Sequence, residues 1–181
     1  MNQRAEFELI QKAKVFDENA LAAIYDLYQA SIYRYAYRLL GNEQAAEDCV
    51  ADTFDRYLTA LRSGGGPESF LQAYLFRIAH NWVTDQYRRK GDQHAVELDE
   101  FQAAADDPED DAQRQMEAKN IRQAVNKLPV DQQQVITLRF LEGWEIDEVA
   151  ITMKKTSGAI KALQHRGLAS LQKLLIQDGS V

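Results

Sequence analysis

Residues 131–175 read DQQQVITLRFLEGWEIDEVAITMKKTSGAIKALQHRGLASLQKLL, and they constrain the chain more than any other stretch. Two apolar-striped helical patterns, Ile146–Met153 and Ser157–Leu175, are separated only by Lys154, Lys155 and Thr156. So short a break forces the two helices to cross at a steep angle, as in a helix-turn-helix. Val149, Ala150 and Met153 on the first helix, with Ile160 and Leu163 on the second, fall where such an elbow is buried, and Ala150 is small where the helices come closest. The outward face of the second helix carries Lys161, Ala162, His165 and Arg166, a mixture suited to phosphates and base edges. Lys154 stands at the turn position that Gly usually holds, so a non-Gly residue is expected at positive φ. Many helical corners share this periodicity; DNA reading is the favoured of the two interpretations.

A net charge of −7 is unexpected for a DNA-binding chain until it is divided along the sequence. Residues 92–118 carry ten acidic side chains against one basic, Arg114, while residues 119–181 carry nine basic against six acidic. The acidity is therefore a property of the middle, and the two ends are neutral to mildly basic. Weak basicity predicts poor DNA binding by the chain alone, because phosphate neutralisation supplies most non-specific affinity.

The expected architecture is all-α: two small helical domains, residues 1–91 and 112–181, joined by an acidic linker at 92–111, with the helix-turn-helix in the second. Gln3–Val15 is amphipathic, and Asn19–Leu40 follows three-four spacing through Leu21, Ile24, Tyr28, Ile32, Tyr35 and Leu39 before Gly41 stops it. The many tyrosines of this helix, Tyr25 among them, read as core and rim. Asn42 caps a third helix whose buried side runs Ala46, Cys49, Val50, Thr53, Tyr57, Leu58 and Leu61. Its other side is acidic, with Asp48, Asp52 and Asp55 beside Phe54. Asp48 and Asp52 lie four apart, a spacing at which like charges repel. A solvated face and a docking site for a basic partner are equally consistent with that.

Ser63-Gly64-Gly65-Gly66-Pro67 interrupts the helices, and no Lys follows at phosphate-loop spacing. Glu68–Lys90 is the next expected helix, with Leu71, Tyr74, Leu75, Ile78, Ala79, Trp82 and Val83 on its apolar side. Arg77, Asn81, Thr84 and Arg88 recur on another side, flanked by His80, Tyr87 and Arg89. Cations interleaved with rings suit a nucleic-acid strand, and equally a helix whose aromatics serve the core. Past the Asp-rich stretch, Ala112–Lys127 resumes a helix, Pro129 breaks it, and Asp131 is placed to cap a helix ending near Gly143.

Cys49 is single and reads as a small buried hydrophobe; with only His80, His94 and His165 there is no metal-ligand cluster, and no cofactor is expected. No apolar run nears the ~20 residues of a membrane span, and MNQRAEFELIQKAK lacks a signal-peptide apolar core, so no membrane insertion and a cytoplasmic location are expected.

Three segments, in order, resemble the extracytoplasmic-function class of bacterial sigma factors. AAEDCVADTFDRYL resembles the family's polymerase-docking segment: Asp48, Val50, Asp52, Thr53 and Phe54 match, with Ala51 at a usual Gln. FLQAYLFRIAHNWVTDQYRR is similar to the helix that reads and helps open the minus-ten element, through Arg77, Ile78, Ala79, Asn81, Asp85, Arg88 and Arg89. LPVDQQQVITLRFLEGWEIDEVA with TSGAIKALQHRGLASL resembles the minus-thirty-five domain, through Leu128, Pro129, Leu138, Arg139, Gly143, Glu148, Ala150 and Gly158. Glu145 departs from a usual Ser/Thr cap there, and Lys154 from the turn residue.

The resemblance implies a non-catalytic promoter-specificity subunit, with core RNA polymerase and promoter DNA as partners. Asp48, Val50, Asp52, Thr53, Phe54 and Asp55 would form the surface for the β′ clamp region, and the C-terminal domain would meet the β flap. Ser63, Gly64, Gly65 and Phe70 would wall the pocket of a flipped minus-ten base, with Arg77, His80, Asn81, Trp82, Arg88 and Arg89 along the melted strand. Lys155, Thr156, Ser157, Gly158, Lys161, Ala162, His165 and Arg166 would face the minus-thirty-five element. The acidic linker would lie in the polymerase channel, and an anti-sigma protein often covers both domains in this family. Against this stand a dimeric operator-binding regulator, which leaves the Asp48/Asp52 face unexplained, and an all-α adaptor, which leaves Arg77, Asn81 and Arg88 unexplained. No nucleophile–base pair suggests an enzyme.

Overall fold

The computed structural model describes residues 3–92, 120–121 and 123–177, and they are helical throughout apart from connecting turns. The acidic linker and the expected start of a helix at Ala112 lie outside these residues. In the N-terminal half, α1 spans Gln3–Lys14. Helix α2 (Glu18–Leu40) begins at Asp17, whose Oδ1 accepts from the Ala20 amide at 2.8 Å. It ends at Gly41, φ 65, whose N–H donates to the Tyr37 carbonyl at 2.8 Å. Asn42 at once caps α3 (Glu43–Arg62), its Oδ1 accepting from Ala45 N–H at 2.7 Å. A left-handed Gly followed by an Asn cap lets two long helices fold back on one another across two residues.

Helix α4 spans Leu71–Asp92, starting three residues later than the spacing predicts. Phe70 sits at φ 55, in the left-handed region that an α-helix does not use, so Glu68 and Ser69 belong to the loop. Ile24, Ile32, Tyr35, Tyr57, Leu71, Leu75 and Phe76 are almost wholly buried between α2, α3 and α4. Each such side chain contributes ~1.5–3 kcal/mol by leaving water. Cys49 is buried among them, its Sγ 3.9 Å from the Ala79 carbonyl, and burial pushes its thiol up to about 12.

In the C-terminal half, residues 120–121 and 123–126 are helical, and α5 spans Val130–Ile136. Pro129, with no N–H to leave unsatisfied, takes the cap position expected of Asp131. Asp131 instead pairs with Lys155 of the later turn, at 3.0 Å. Helix α5 continues as a π-helical turn, Thr137–Leu141, in which Glu142 N–H reaches the Thr137 carbonyl at 3.0 Å. Helices α6 (Ile146–Met153) and α7 (Ser157–Gln177) form the expected elbow, with Val149, Ala150, Met153, Ile160 and Leu163 all buried. Lys154 has φ 51 and ψ 45, the left-handed geometry expected of the turn position that Gly usually holds. Gly167 lies mid-helix in α7 because α5 runs so close: a Cβ there would stand 3.1 Å from Ile136 Cγ1.

The sequence suggests two separate bodies on a tether, yet their cores merge into one cluster running from Ile10 to Leu163. Trp144 lies against Phe76 of α4, ring centroids 4.6 Å apart at 58°. Arg38 of α2 pairs with Glu142, whose carboxyl burial pushes up while Arg38 and Arg34 pull it down. Gln134 Nε2 donates to Thr84 Oγ1 at 3.2 Å, and the Tyr87 hydroxyl lies between the Leu39 carbonyl and Gln133 Oε1, 2.8 Å from the latter. Gln133 is therefore buried with partners and Gln134 with one for its Nε2, its Oε1 having none among the described residues, where their sequence reads as a polar run.

Candidate functional site

The acidic face of α3 is built on a buried seam. Asp48 and Asp55 are exposed and Asp52 is half-buried, while Val50, Thr53 and Phe54 point inward and fix the helix. Gln44 Nε2 donates to Asp48 at 3.1 Å, and Arg56 pairs with Asp52 at 2.7 Å, which tempers the repulsion between the two carboxylates. The Phe54 ring lies 4.8 Å from that of Tyr25, which is 45% exposed. An aromatic edge thus flanks the carboxylates. Tyr25 lies on a different helix from the acidic residues, so no spacing in the sequence relates it to them.

The loop before α4 is anchored at several points. Ser63 Oγ donates to the Ala60 carbonyl at 2.8 Å, Gly64 and Gly66 have φ 74 and 99, and Pro67 is buried. At Gly66 a Cβ would approach Leu61 Cδ2 to 2.9 Å, so the loop lies tight on α3. Glu68 pairs with Lys14 of α1, and the Leu71 amide donates to Glu6 Oε1 at 2.8 Å. Nothing in the sequence relates either α1 residue to this loop, because the contacts bridge distant parts of the chain. Phe70 remains 56% exposed at the rim of a cleft of about 210 Å³ that Trp144, Glu148 and Ile151 close from the C-terminal side.

Along α4, Arg77 lies over the Tyr74 ring at 5.0 Å, Asn81, Arg88 and Arg89 are exposed, and Trp82 is half-buried. Arg88 approaches Asp85 at 3.6 Å, a solvated pair worth little. His80 differs from its neighbours: it is 8% exposed, and its Nδ1 has no hydrogen-bond partner among the described residues. Burial pushes its pKa down to about 4, with Asp131 raising it and Lys155 lowering it. Both of these charges come from the C-terminal half, so His80 lies beneath the packed second domain.

The helix-turn-helix face is held by its own residues. Thr156 Oγ1 accepts from Ala159 N–H at 3.2 Å at the start of α7, and Ser157 Oγ donates to Asp147 Oδ1 at 2.6 Å. Glu148 Oε2 accepts from the Glu145 amide at 2.7 Å, the return half of a capping box, so α6 starts without the usual Ser or Thr. Arg139 joins the pieces, donating to the Trp144 carbonyl and to Gln164 Oε1 at 3.3 Å and forming an ion pair with Glu145 at 3.6 Å. Thr156, Gly158, Lys161, Ala162, His165 and Arg166 are exposed, and Lys155 and Ser157 partly so. Among the described residues no cluster suits a metal ion, and no helix of theirs is long and apolar enough to cross a membrane.

The chain matches the family model of Sigma-70 region 2 over residues 24–93 and that of Sigma-70 region 4 over residues 118–171. It is 33% identical over 174 residues to the ECF RNA polymerase sigma factor BldN of Streptomyces coelicolor, covering 94% of this chain and 66% of BldN. It is 30% identical over 177 residues to the ECF sigma factor SigW of Bacillus subtilis, covering 92% of this chain and 94% of SigW. In fold it is similar to CnrH in complex with the cytosolic domain of CnrY, with a TM-score of 0.74 at 24% identity, covering 96% of this chain and 99% of the other. It is similar also to the sigma factor RpoE in complex with the anti-sigma factor NepR from Bartonella quintana, with a TM-score of 0.61 at 24% identity, covering 87% and 95%. With both regions matched in order and SigW related over nearly its whole length, the chain belongs to the extracytoplasmic-function (ECF) class of sigma-70-family RNA polymerase sigma factors, the non-catalytic subunits of transcription initiation.

Proposed function

We propose that residues 1–91 dock on the core polymerase and read the minus-ten element, and that residues 112–181 read the minus-thirty-five element, with 92–111 as the tether. The observation that carries this is the division of labour over the surface: an acidic face with an aromatic edge on α3, and basic faces on α4 and α7 in different halves. The carboxylates of Asp48, Asp52 and Asp55 suit a basic surface on the β′ clamp region. Ser63, Gly64, Gly65 and Phe70 form the wall for a flipped base, with Arg77, Asn81, Trp82, Arg88 and Arg89 along the separated strand. Lys161, His165 and Arg166, with Lys155, Thr156, Ser157, Gly158 and Ala162 around them, face the second element, and the C-terminal half meets the β flap.

Free and polymerase-bound forms then differ in a definite way. The packing of Trp144 on Phe76 and the cover over His80 hold α4 against the second domain, so reading two separated elements requires that contact to part. An anti-sigma protein gripping both halves would keep it shut; RpoE of Bartonella quintana is seen in complex with an anti-sigma factor, NepR. The site of action is the bacterial cytoplasm, at the nucleoid. The deciding experiment is transcription in vitro with core polymerase on a genomic template library, comparing wild type with Asp52→Arg. Promoter-dependent initiation that charge reversal abolishes is the expected result; no initiation from any template would refute it.

A further inference from the structure

Helix α4 begins in an unusual way. Its cap position is held by Phe70, whose carbonyl accepts the first helical bond from Tyr74 N–H at 3.0 Å. A phenyl ring offers no oxygen to the free amides of the first turn, and Phe70 is held at φ 55, a conformation disfavoured for a residue with a Cβ. Burial of the ring does not compensate, because it is 56% exposed. What the local sequence lacks comes from 65 residues away: Glu6 Oε1 accepts from Leu71 N–H at 2.8 Å and sets a carboxylate at the positive end of the helix. Glu6 is half-buried beside Tyr28, whose hydroxyl is raised to about 12 by burial first and by the Glu6 charge second. Lys14, two turns further along α1, fixes Glu68 on the same loop. Helix α1 therefore clamps the loop on both sides of Phe70, and the clamp holds a strained residue whose side chain points away from the core. Strain maintained at an exposed position is characteristic of functional sites.

We infer that Glu6 is a positioning residue for minus-ten recognition, its carboxylate on the Leu71 amide holding Phe70 in its left-handed, outward pose at the mouth of the promoter-base pocket. The inference rests on the assignment of the Ser63–Phe70 loop to that pocket. Glu6 acts through the start of α4 and makes no contact with DNA.

The test uses holoenzyme on a promoter recovered from the template library, with Glu6→Ala, Glu6→Gln and Phe70→Ala. Three quantities are read: the sigma concentration that half-saturates core, the permanganate reactivity of the melted minus-ten thymines, and the preference for the recovered minus-ten sequence over its single-base variants. Glu6→Ala is expected to lower open-complex yield roughly tenfold and to flatten the base preference, as a misplaced reading group does, with core binding unchanged. Glu6→Gln keeps an acceptor oxygen and is expected to restore the preference. Where Glu6→Ala does not fold, Glu6→Asp, which withdraws the oxygen by one methylene, is expected to flatten the preference in the same way. If Phe70→Ala opens and selects promoters like wild type, the loop assignment and the inference both fall. If Phe70→Ala is defective while Glu6→Ala or Glu6→Asp retains full base preference, the loop assignment stands and the role of Glu6 is overturned. A parallel loss of core binding and opening with preference intact would mark Glu6 as merely stabilising and also overturn it.

Discussion

The two helices proposed to read DNA both follow a non-Gly residue in the left-handed region, Phe70 at φ 55 before α4 and Lys154 at φ 51 before α7, but they are supported in opposite ways. Helix α7 is braced from within its own half: Thr156 at its own cap, Asp147 on Ser157, and Arg139 on Gln164. Its reading face is open to solvent. Helix α4 is braced from afar by Glu6 at its start and by Gln133 and Gln134 further along, and the second domain covers His80 on one side. A module that supports itself locally stays ready wherever it is carried, whereas one that depends on distant contacts changes when those contacts part. The second kind suits the half proposed to open the strand, where exposure would wait for the polymerase.

The largest expected effect separates the two halves. Trp144→Ala removes the ring that packs on Phe76 and is expected to weaken the closed arrangement by ~3–5 kcal/mol. Solution scattering should then show a larger radius of gyration, with helix content kept; an unchanged radius would mean that the domains do not depend on this contact. On the open side, Lys161→Ala and Arg166→Ala are each expected to lose ~1–3 kcal/mol of minus-thirty-five-dependent initiation without altering the closed state. Loss of compactness in either variant would show that α7 is not the independent reader described above.

The buried side of α4 should respond to pH. His80 has its pKa lowered to about 4 in the closed form, so that form binds fewer protons than an opened one. Its contribution is fully present above the ordinary imidazole value near ~6.5 and is lost as pH falls towards 4, an effect of about 3 kcal/mol. Glu142, raised by burial, works with the opposite sign as its carboxyl protonates. Chemical denaturation between pH 7 and 4.5, wild type against His80→Gln, isolates the histidine: the variant should lose the steeper part of the slope. The smallest effect concerns the turn. Lys154→Gly relieves a left-handed Lys and is expected to raise stability by up to ~1 kcal/mol in urea unfolding, leaving promoter selection as it was.

Much of this was legible beforehand because it is written in short-range pattern. The elbow of α6 and α7, the Asn42 cap, the Gly41 stop and the buried Cys49 each follow from spacing or from one residue's conformational preference. The left-handed geometry at Lys154 follows on the same ground, because the turn of a helix-turn-helix requires positive φ there whatever residue holds it. The start of α4 was misplaced at Glu68 because nothing in a Glu-Ser-Phe-Leu run announces a phenylalanine at positive φ. The cap assigned to Asp131 went to Pro129, freeing the carboxylate for Lys155. Tyr25 beside the acidic face and Glu6 at Leu71 were out of reach, since each pairs with a residue on another helix.

What the sequence determined alone was the set of helices, their apolar faces, and the three segments that place the chain among ECF sigma factors. Helix periodicity and capping act over a few residues, so a linear reading contains them. The tertiary structure alone decided that the two halves share a core through Trp144 and Phe76, that His80 is covered while Asn81 is not, and that α1 supplies the acceptor at the start of α4. Those outcomes depend on which surfaces remain to be buried once the helices exist, and that balance of desolvation and hydrogen bonding is set in three dimensions.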